Sequence, residues 1–403
     1  MSTQWIRVKK NTRRRAVVAV QVGVLLVVLL GTAALTIDVG AMFNVRADLQ
    51  RTADAGALAG ASAYVSDAMM TVRMGTGGAN GLTTVVNMAK QRSAGFSYMN
   101  PTYGTDHTHV ALSDIVTGWI NPNSPNDAIH TNPQPRDYNV VEVTAHRSEG
   151  GDADSNGPVE FLFASIFGRF SGEVHASAAA IFDDRFAGVR VNANGANILP
   201  FTIHEDAFLS EMVAGGDQYG YNAALGEVNA SPDGIREIRL YPYPLSGDGY
   251  EEGDGNFGML NIGTGNQGVD AEIEQILNGV SGADFVAEVG TSDLTFFGEG
   301  GTPVTYDITG SPGLEATLKA AIGDIIGQEI GFFLHTNVVL SGSNAIYTIT
   351  QIRYGRVMDI RLTGPPNQRG FFIQPISYAG GDVVISPDAP SSGGLVGRLV
   401  LVR

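Results

Sequence analysis

Cysteine is absent from this chain of 403 residues, and charged side chains make up only 16% of it. Without cysteine the chain cannot form a disulfide framework, a thiolate zinc site or a cysteine nucleophile. The low charge and the 52 glycines argue against a coiled coil and favour a loop-rich, β-leaning protein. Because 43% of the residues are hydrophobic, the chain can still bury a sizeable core, and we do not expect wholesale disorder.

Acidic residues are also absent before Asp38, although the chain carries 41 of them and a formal net charge of −16. Six cations lie within the first 15 residues, namely Arg7, Lys9, Lys10, Arg13, Arg14 and Arg15. Beyond residue 15 the chain holds 19 basic and 41 acidic residues, a balance of −22. Nucleic-acid binding needs cations to neutralise phosphates, so this acidic body predicts no nucleic-acid partner.

An uncharged run from Ala16 to Ile37 separates the basic tip from the acidic body. As a helix this run would be about 33 Å long, enough to cross the hydrocarbon core of a membrane. We predict a transmembrane anchor whose residues include Ala16, Gln21, Gly23, Leu30 and Ile37. The cations before the run place the N-terminus in the cytoplasm. A cleaved signal peptide is the alternative, but the run is longer than the usual apolar region of about 7–15 residues.

The helical pattern continues past the apolar run, because apolar residues recur every three or four positions from 42 to 60. This spacing predicts one long helix that leaves the membrane and extends outside. Its outer part carries a small-residue stripe, which consists of Leu49, Ala53, Gly56, Ala57 and Gly60. Small residues allow close approach, so we predict that the stripe is a docking face. It could receive the chain's own domain, the commoner fate of such a face, or another subunit.

A specific order of features links residues 13–64 to a known family. Basic residues and the apolar run are followed by the step Asp38-Val39-Gly40 and then by LQRTADAGALAGA, residues 49–61. This order resembles the N-terminal region of TadE/TadG-like proteins of the Flp (tight adherence) pilus system. Segments up to residue 182 are similar to the usual middle part of such proteins. The resemblance implies a single-pass protein of the bacterial inner membrane whose bulk is periplasmic or extracytoplasmic.

Two features depart from that family's patterns. Prepilin-like relatives carry Gly at the processing point and Glu five residues later, whereas Ala16 and Gln21 stand at these positions here. The departure favours a retained anchor over a cleaved one. Many TadG-like proteins also contain a von Willebrand type A domain, whose D-x-S-x-S metal motif does not occur in this sequence. Asp183 and Asp184 stand where such a domain would begin.

The remaining pattern predicts an α+β protein in four parts. These parts are a cytoplasmic basic tip (1–15), a transmembrane helix (16–37), a TadG-like outer helix with a small α+β domain (38–185), and a β-rich extracytoplasmic domain (186–403). Helices are predicted over 82–91, 269–280 and 314–327, the last capped by Ser311. The segment 159–167 fits either a helix or a strand. Strands are predicted over 110–120, 140–146, 174–182, 235–241, 259–262, 294–297, 332–340, 345–362, 370–378 and 395–402.

Three motifs could carry chemistry, but each is weak. The segment Gly263–Gly268 fits the dinucleotide-binding pattern with Asp284 as the ribose acid, yet matches are frequent in a glycine-rich chain and no βαβ alternation surrounds it. The acidic loop 246–256 lacks the spacing of an EF-hand. His107 and His109 have no identifiable third metal ligand. We therefore predict no catalytic residue, no cofactor and no metal.

The sequence as a whole favours a non-catalytic, inner-membrane-anchored subunit of a Flp/tight-adherence type pilus assembly system. It would act through protein–protein contacts, and its partners would be inner-membrane lipid and other pilus-assembly or envelope subunits. Self-association into a homo-oligomer stays open. The alternative is a membrane-anchored extracytoplasmic binding or adhesin-like protein that holds a ligand such as a glycan on residues 186–403. An anchored hydrolase is disfavoured, because no nucleophile or metal motif is recognisable.

Overall fold

The computed structural model describes residues 12–149, 156–191, 197–241, 258–263, 268–311, 318–339, 345–361 and 370–403, with side chains from residue 18 onward. The helices in these ranges are α1 (Thr12–Ala61), α2 (Asp67–Met74), α3 (Gly81–Tyr98), α4 (Glu205–Ala214), α5 (Val269–Asn278), α6 (Gly282–Val289) and α7 (Leu318–Asp324). Five 3-10 helices accompany them, at Ser62–Val65, Leu112–Asp114, Pro135–Asp137, Ala164–Phe167 and Glu299–Gly301.

The strands in the described ranges form two large sheets, one three-stranded sheet and two short hairpins. In chain order they are β1 (Ile115–Gly118), β2 (Val140–Arg147), β3 (Val159–Glu160), β4 (Ser171–Gly172), β5 (Val174–Asp183), β6 (Phe186–Arg190), β7 (Ile198–His204), β8 (Gly220–Asn222), β9 (Glu227–Asn229), β10 (Ile238–Tyr241), β11 (Asp293–Thr295), β12 (Tyr306–Thr309), β13 (Glu329–Val339), β14 (Ile346–Arg361), β15 (Gly370–Pro375), β16 (Tyr378–Ala379), β17 (Val383–Ile385) and β18 (Val396–Leu401).

Helix α1 is continuous over 50 residues, which corresponds to about 75 Å. It contains no proline, and alanine, leucine, arginine and glutamine dominate its outer half, all of them good helix formers. Its first part is exposed, whereas from Val45 onward one face is buried against α3 and the sheet that contains β2 and β5. The predicted long helix that runs out of the apolar segment is therefore present.

The first large sheet has the strand order β1-β2-β5-β18-β16. Strands β1, β2, β5 and β18 pair antiparallel, and β16 lies parallel to β18. Val141, Val143 and Ala178 of this sheet share one buried cluster with Ala53 and Ala57 of α1. The sheet, α1 and α3 thus pack together around the outer helix, with β16 and β18 contributed from beyond residue 185.

The second large sheet has the order β10-β15-β14-β13-β7. Strand β12 also pairs with the first residues of β14, from Ile346 to Ile349. Its strands are antiparallel except β13 and β7, which run parallel. The larger hydrophobic cluster of the molecule lies here and is rich in aromatic and β-branched side chains, among them Phe332, Ile352 and Phe371. The predicted fold class, α+β with a long N-terminal helix and a β-rich C-terminal part, is confirmed.

Several local predictions differ from the structure. Helix α3 extends to Tyr98, beyond its predicted end at 91, because the small residues Ser93 and Ser97 are buried. The predicted strand 259–262 is wrong, since only isolated bridges join this segment to Phe201 and Gly310. Residues 112–114 form a 3-10 turn rather than strand, and segment 159–167 divides into β3 and a 3-10 helix. The sequence analysis did not identify β6, β7, α4 or α6.

Two further outcomes concern the predicted C-terminal elements. In the helix predicted over 314–327, residues 318–324 form α7, and residues 312–317 lie outside the described ranges. Ser311 donates to a carboxylate oxygen of Glu272 at 2.6 Å. The domain boundary at 185/186 stays a prediction, and β18 from beyond it pairs with β5 from before it.

Candidate membrane-anchoring site

The part of α1 from Val18 to Ile37 is exposed and apolar, and we call it the apolar rod. Among the described residues, one helix is long and apolar enough to cross a membrane, with a mean hydropathy of 2.5 over an 18-residue window that buries nothing. Gln21, Gly23, Leu30 and Ile37 are all exposed within it, and no atom lies within 4 Å of a Cβ built on Gly23. An exposed apolar surface of this size is unfavourable in water, and its length and composition are those of a membrane anchor.

The predicted topology cations lie just before this rod. Arg13, Arg14, Arg15 and the anchor residue Ala16 belong to the start of α1. The other three cations, Arg7, Lys9 and Lys10, lie outside the described residues.

Asp38 marks the point where α1 changes its surroundings. Its side chain is buried, although it directly follows the exposed apolar rod. One carboxylate oxygen, Oδ1, accepts from the backbone N–H of Leu162 at 2.9 Å. The other, Oδ2, accepts from the N–H groups of Phe163 at 3.0 Å and Ala164 at 2.6 Å. Asp38 therefore caps the 3-10 helix Ala164–Phe167 and ties that loop to the end of the rod.

These bonds also set the charge state of Asp38. Partial burial raises the pKa of this carboxyl, but three backbone N–H groups stabilise the carboxylate and the net effect lowers its pKa. Asp38 is thus an anion at neutral pH, held by backbone dipoles. In the sequence, Asp38 stands out as the first acid after the apolar run and as the start of the Asp38-Val39-Gly40 step. Its partners lie more than 120 positions away, where no sequence pattern points to them.

The small-residue stripe packs against the same chain. Leu49, Ala53 and Ala57 are fully buried, and the two glycines allow α3 and β2 to approach. A Cβ built on Gly56 would lie 2.4 Å from Ser97 Oγ and 3.4 Å from Val143 Cγ1. A Cβ built on Gly60 would lie 2.1 Å from Ser93 Oγ and 2.8 Å from Val141 Cγ1.

This packing means that the stripe receives the chain's own helix and sheet, which is one of the two occupants considered above. Contact of the stripe with another subunit would require α1 to separate from α3 and β2. The stripe thus packs α1 tightly against α3 and β2 of the folded part.

The weak chemical motifs have structural surroundings of their own. Asp284 forms a capping box with Ser281 at the start of α6, so its carboxylate is occupied in helix capping. The ring of His107 stacks on Tyr98 with centroids 4.2 Å apart. Residues 264–267 and the acidic loop 246–256 lie outside the described residues. In the part of the chain that the structure describes, no group of three His, Cys, Asp or Glu side chains could hold a metal ion.

Comparison with known proteins adds one finding. No curated protein and no solved structure matches the chain. A family model does match, and the matched region spans α1 from its second turn to just beyond its end. It includes the apolar rod, Asp38 and the small-residue stripe, the features that carry the predicted family resemblance. Residues 17–63, the N-terminal region of this chain, match the family of putative Flp pilus-assembly TadE/G-like proteins.

Proposed function

We propose that this protein is a non-catalytic, membrane-anchored subunit of a Flp/tight-adherence type pilus assembly system and acts through protein–protein contacts. The observation that carries the proposal is the TadE/G-like match over residues 17–63, which coincides with the apolar rod and its junction with the body. The partners would be other pilus-assembly or envelope subunits.

The proposed topology has the N-terminus in the cytoplasm and the body outside the inner membrane. Six cations before residue 16 and no acid before Asp38 support this orientation through the positive-inside rule. The acidic character of the chain beyond residue 15 suits an exported region, since acidic residues contribute little to topology and favour solubility.

The proposed mechanism is positional. Because α1 is one unbroken helix from Thr12 to Ala61, a change in the direction of the membrane span is transmitted to the body. The small-residue stripe and the Asp38 bonds attach the body to α1 at two levels. Such a subunit would present its outer surfaces at a set height and orientation to the other subunits.

Deletion of the gene in the native cell tests this function. We expect fewer surface pili by electron microscopy, restored by the full chain. A complementing chain with Leu26→Arg and Leu29→Arg should fail, because charges at the centre of a span are costly. The matched control is Leu26→Val with Leu29→Val, which keeps the span apolar and should restore pili. An unchanged number of pili in the deletion strain would contradict the proposal.

One observation bears on the alternative, an anchored ligand-binding protein. A cleft of about 660 Å³ opens between the segment after β1, helix α4 and the segment before β18, and its lining includes Trp119, Asn121 and Asp184. Aromatic and amide side chains in an open cleft are suited to a polar ligand such as a glycan. Saturation-transfer NMR with the full chain and free oligosaccharides would test it, with Trp119→Ala as the variant that should lose the signal.

A further inference from the structure

A second apolar surface lies beside the rod. The hairpin of β3 and β4 ends in residues 161–170, FLFASIFGRF, which we call the apolar tip. Four of its large apolar side chains are mostly exposed, namely Leu162 at 71%, Ile166 at 77%, Phe167 at 71% and Phe170 at 71%. Isolated exposed apolar residues are ordinary, but four within nine positions form a patch that water does not favour.

The hairpin is oriented along α1 toward the rod. Its base lies at the level of Met42, since a Cβ on Gly172 would be 3.3 Å from Met42 Cε. One helical turn closer to the rod, the Asp38 carboxylate accepts hydrogen bonds from the N–H groups of Leu162, Phe163 and Ala164. From base to tip, the hairpin therefore advances toward the exposed apolar part of α1.

Side chains of α1 extend the patch at the same level. Val39 and Phe43 are exposed, and they lie within about 8 Å along the helix axis beyond Asp38. The apolar surface of the rod therefore does not stop at Ile37. It continues over the junction and onto the apolar tip.

The charge of this region differs from that of the rest of the body. Residues 161–170 contain no acid and one cation, the exposed Arg169, whereas the exposed acids Glu160 and Glu173 lie at the base of the hairpin, where Arg46 of α1 lines a pocket with Glu173. The chain beyond residue 15 has a balance of −22, so an acid-free stretch with one arginine stands out. Arginine beside aromatic and aliphatic side chains suits the boundary between phosphate headgroups and acyl chains.

We infer that the apolar tip inserts into the headgroup–acyl boundary of the membrane that α1 spans, beside the point where α1 leaves it. This inference rests on the proposed anchoring by α1. We assign lipid as the partner of the apolar tip because the exposed apolar surface of the tip continues that of the rod. The hydrogen bonds of Asp38 to residues 162–164 hold the tip at the end of the rod. Helix and tip together contact the membrane at two points, which fixes both the height of the body and its rotation about α1.

The absence of cysteine provides a direct test, because one substitution creates one labelling site. The full chain would be placed as a single copy in lipid nanodiscs, with the fluorophore NBD on Phe167→Cys. Quenching by lipids that carry a nitroxide just below the headgroup is the measurement. We expect about threefold stronger quenching than at a distant site, since interfacial elements enter the membrane by about 5–10 Å.

The distant control is Leu225→Cys, an equally exposed apolar residue in the β8–β9 hairpin. The Arg356 guanidinium stacks over the ring of Tyr221 in that hairpin. Arg356 also pairs at 3.0 Å with Asp67, which follows the end of α1 by six residues, so the hairpin lies near the far end of α1. From Asp38 to Ala61 the helix rises about 35 Å, so this hairpin is far from the junction. Phe170→Cys provides a second, independent label in the tip.

A third label, Leu30→Cys in the rod, separates the two proposals. Quenching at residues 30, 167 and 170 supports the insertion of the tip. Quenching at residue 30 with residues 167 and 170 no more quenched than 225 overturns it and leaves the anchor intact, because no partner protein is present to cover the tip. Absence of quenching at residue 30 overturns the anchor and, with it, this inference.

Discussion

Asp38 shows at the scale of a single residue how α1 changes from an exposed apolar segment to one packed against the rest of the chain. Its neighbour Ile37 is half exposed, whereas the Asp38 carboxylate is buried and accepts three backbone N–H groups. Because both carboxylate oxygens accept hydrogen bonds here, an amide at this position would lose at least one of them, since its NH₂ would face a backbone donor.

We therefore predict that Asp38→Asn lowers the melting temperature of the full chain in detergent micelles. Asp106→Asn, at an exposed residue in the loop after α3, is the control and should change it little. The pKa of Asp38 is lowered in the folded state, so its contribution is complete above its ordinary value near 3.8 and disappears as the pH falls through the lowered pKa. Equal melting temperatures for Asp38→Asn and the parent at neutral pH would contradict this role.

Glu237 carries the opposite pH dependence. It is buried between β10 and the segment before β8, where it accepts from Gln218 N at 2.7 Å, Tyr219 N at 3.2 Å and Gln374 Nε2 at 3.2 Å. Burial outweighs these hydrogen bonds and raises the pKa of Glu237 to about 7, above the ordinary 4.5. The folded state thus binds this proton more tightly than the unfolded state does.

It follows that the stabilisation due to this proton is complete below pH 4.5 and is lost as the pH rises through about 7. Glu237→Gln stays neutral, so the free energy of unfolding of the parent should fall relative to the variant between pH about 5 and about 8. Urea unfolding of both proteins at the two pH values measures this difference. A difference that does not change with pH would show that Glu237 has an ordinary pKa.

At the scale of elements, the crossing of α1 and α3 depends on matching small residues. Gly56 and Gly60 of α1 face Ser97 and Ser93 of α3, so the two helices approach more closely than larger side chains allow. This match explains why α3 continues past its predicted end. Small polar residues such as Ser93 and Ser97 weaken the apolar pattern by which a helix is recognised in a sequence. Their role in the close approach of α3 to α1 is visible only once the glycines opposite them are known.

Gly60→Ala tests this crossing. The new methyl would lie 2.8 Å from Val141 Cγ1 and 3.2 Å from Ala89 O, and overpacking of this kind costs about 1–3 kcal/mol. Alanine in a helix recovers about 1 kcal/mol relative to glycine, so we expect a net loss of up to about 2 kcal/mol. Chemical unfolding in micelles, followed by circular dichroism, provides the measurement.

Gly95→Ala in α3 is the matched control. No atom lies within 4 Å of a Cβ at this exposed helical position, so the change should stabilise the protein by up to about 1 kcal/mol. If Gly60→Ala proved as stabilising as Gly95→Ala, the close approach of α1 and α3 would not exist in solution.

At the scale of the whole molecule, the end of the chain completes a sheet that its first half begins. Strand β18 pairs with β5 from Arg398 opposite Asp183 to Leu401 opposite Ala180. Arg403 adds an ion pair with Glu142 of β2 at 3.2 Å. Arg356 of β14 also pairs with Asp67 at the start of α2, at 3.0 Å. The first large sheet, β1-β2-β5-β18-β16, therefore depends on residues close to the C-terminus.

We predict that removal of residues 396–403 exposes the edge of β5 and increases hydrogen exchange at Ala179, whose N–H donates to Arg403 O, and at Ile181 by about tenfold or more. The control, Arg398→Ala, removes an exposed side chain of β18 but leaves its backbone ladder in place. Mass-spectrometric exchange on the full chain and both variants gives the comparison. Unchanged protection in the shortened chain would mean that β5 is stable without its neighbour.

The N-terminal elements were predictable because their signals are local and long. The apolar run, the preceding cations and the three-to-four spacing each extend over many residues, so α1 and the family resemblance follow from pattern alone. Long alternating strands such as β2 and β14 were predictable for the same reason. The buried strand β7 and the short β6 were not identified, because short apolar segments do not distinguish strand from helix.

The sequence by itself determined which segment is suited to cross a membrane, since hydropathy and charge decide that without reference to a fold. Only the tertiary structure decided what the outer half of α1 contacts, because a small-residue stripe packs equally well on its own chain or on a partner. Only the tertiary structure brought Asp38 to the amides of residues 162–164 and placed the apolar tip beside the rod. Contacts between residues so far apart arise from the path of the whole chain, which no local pattern records.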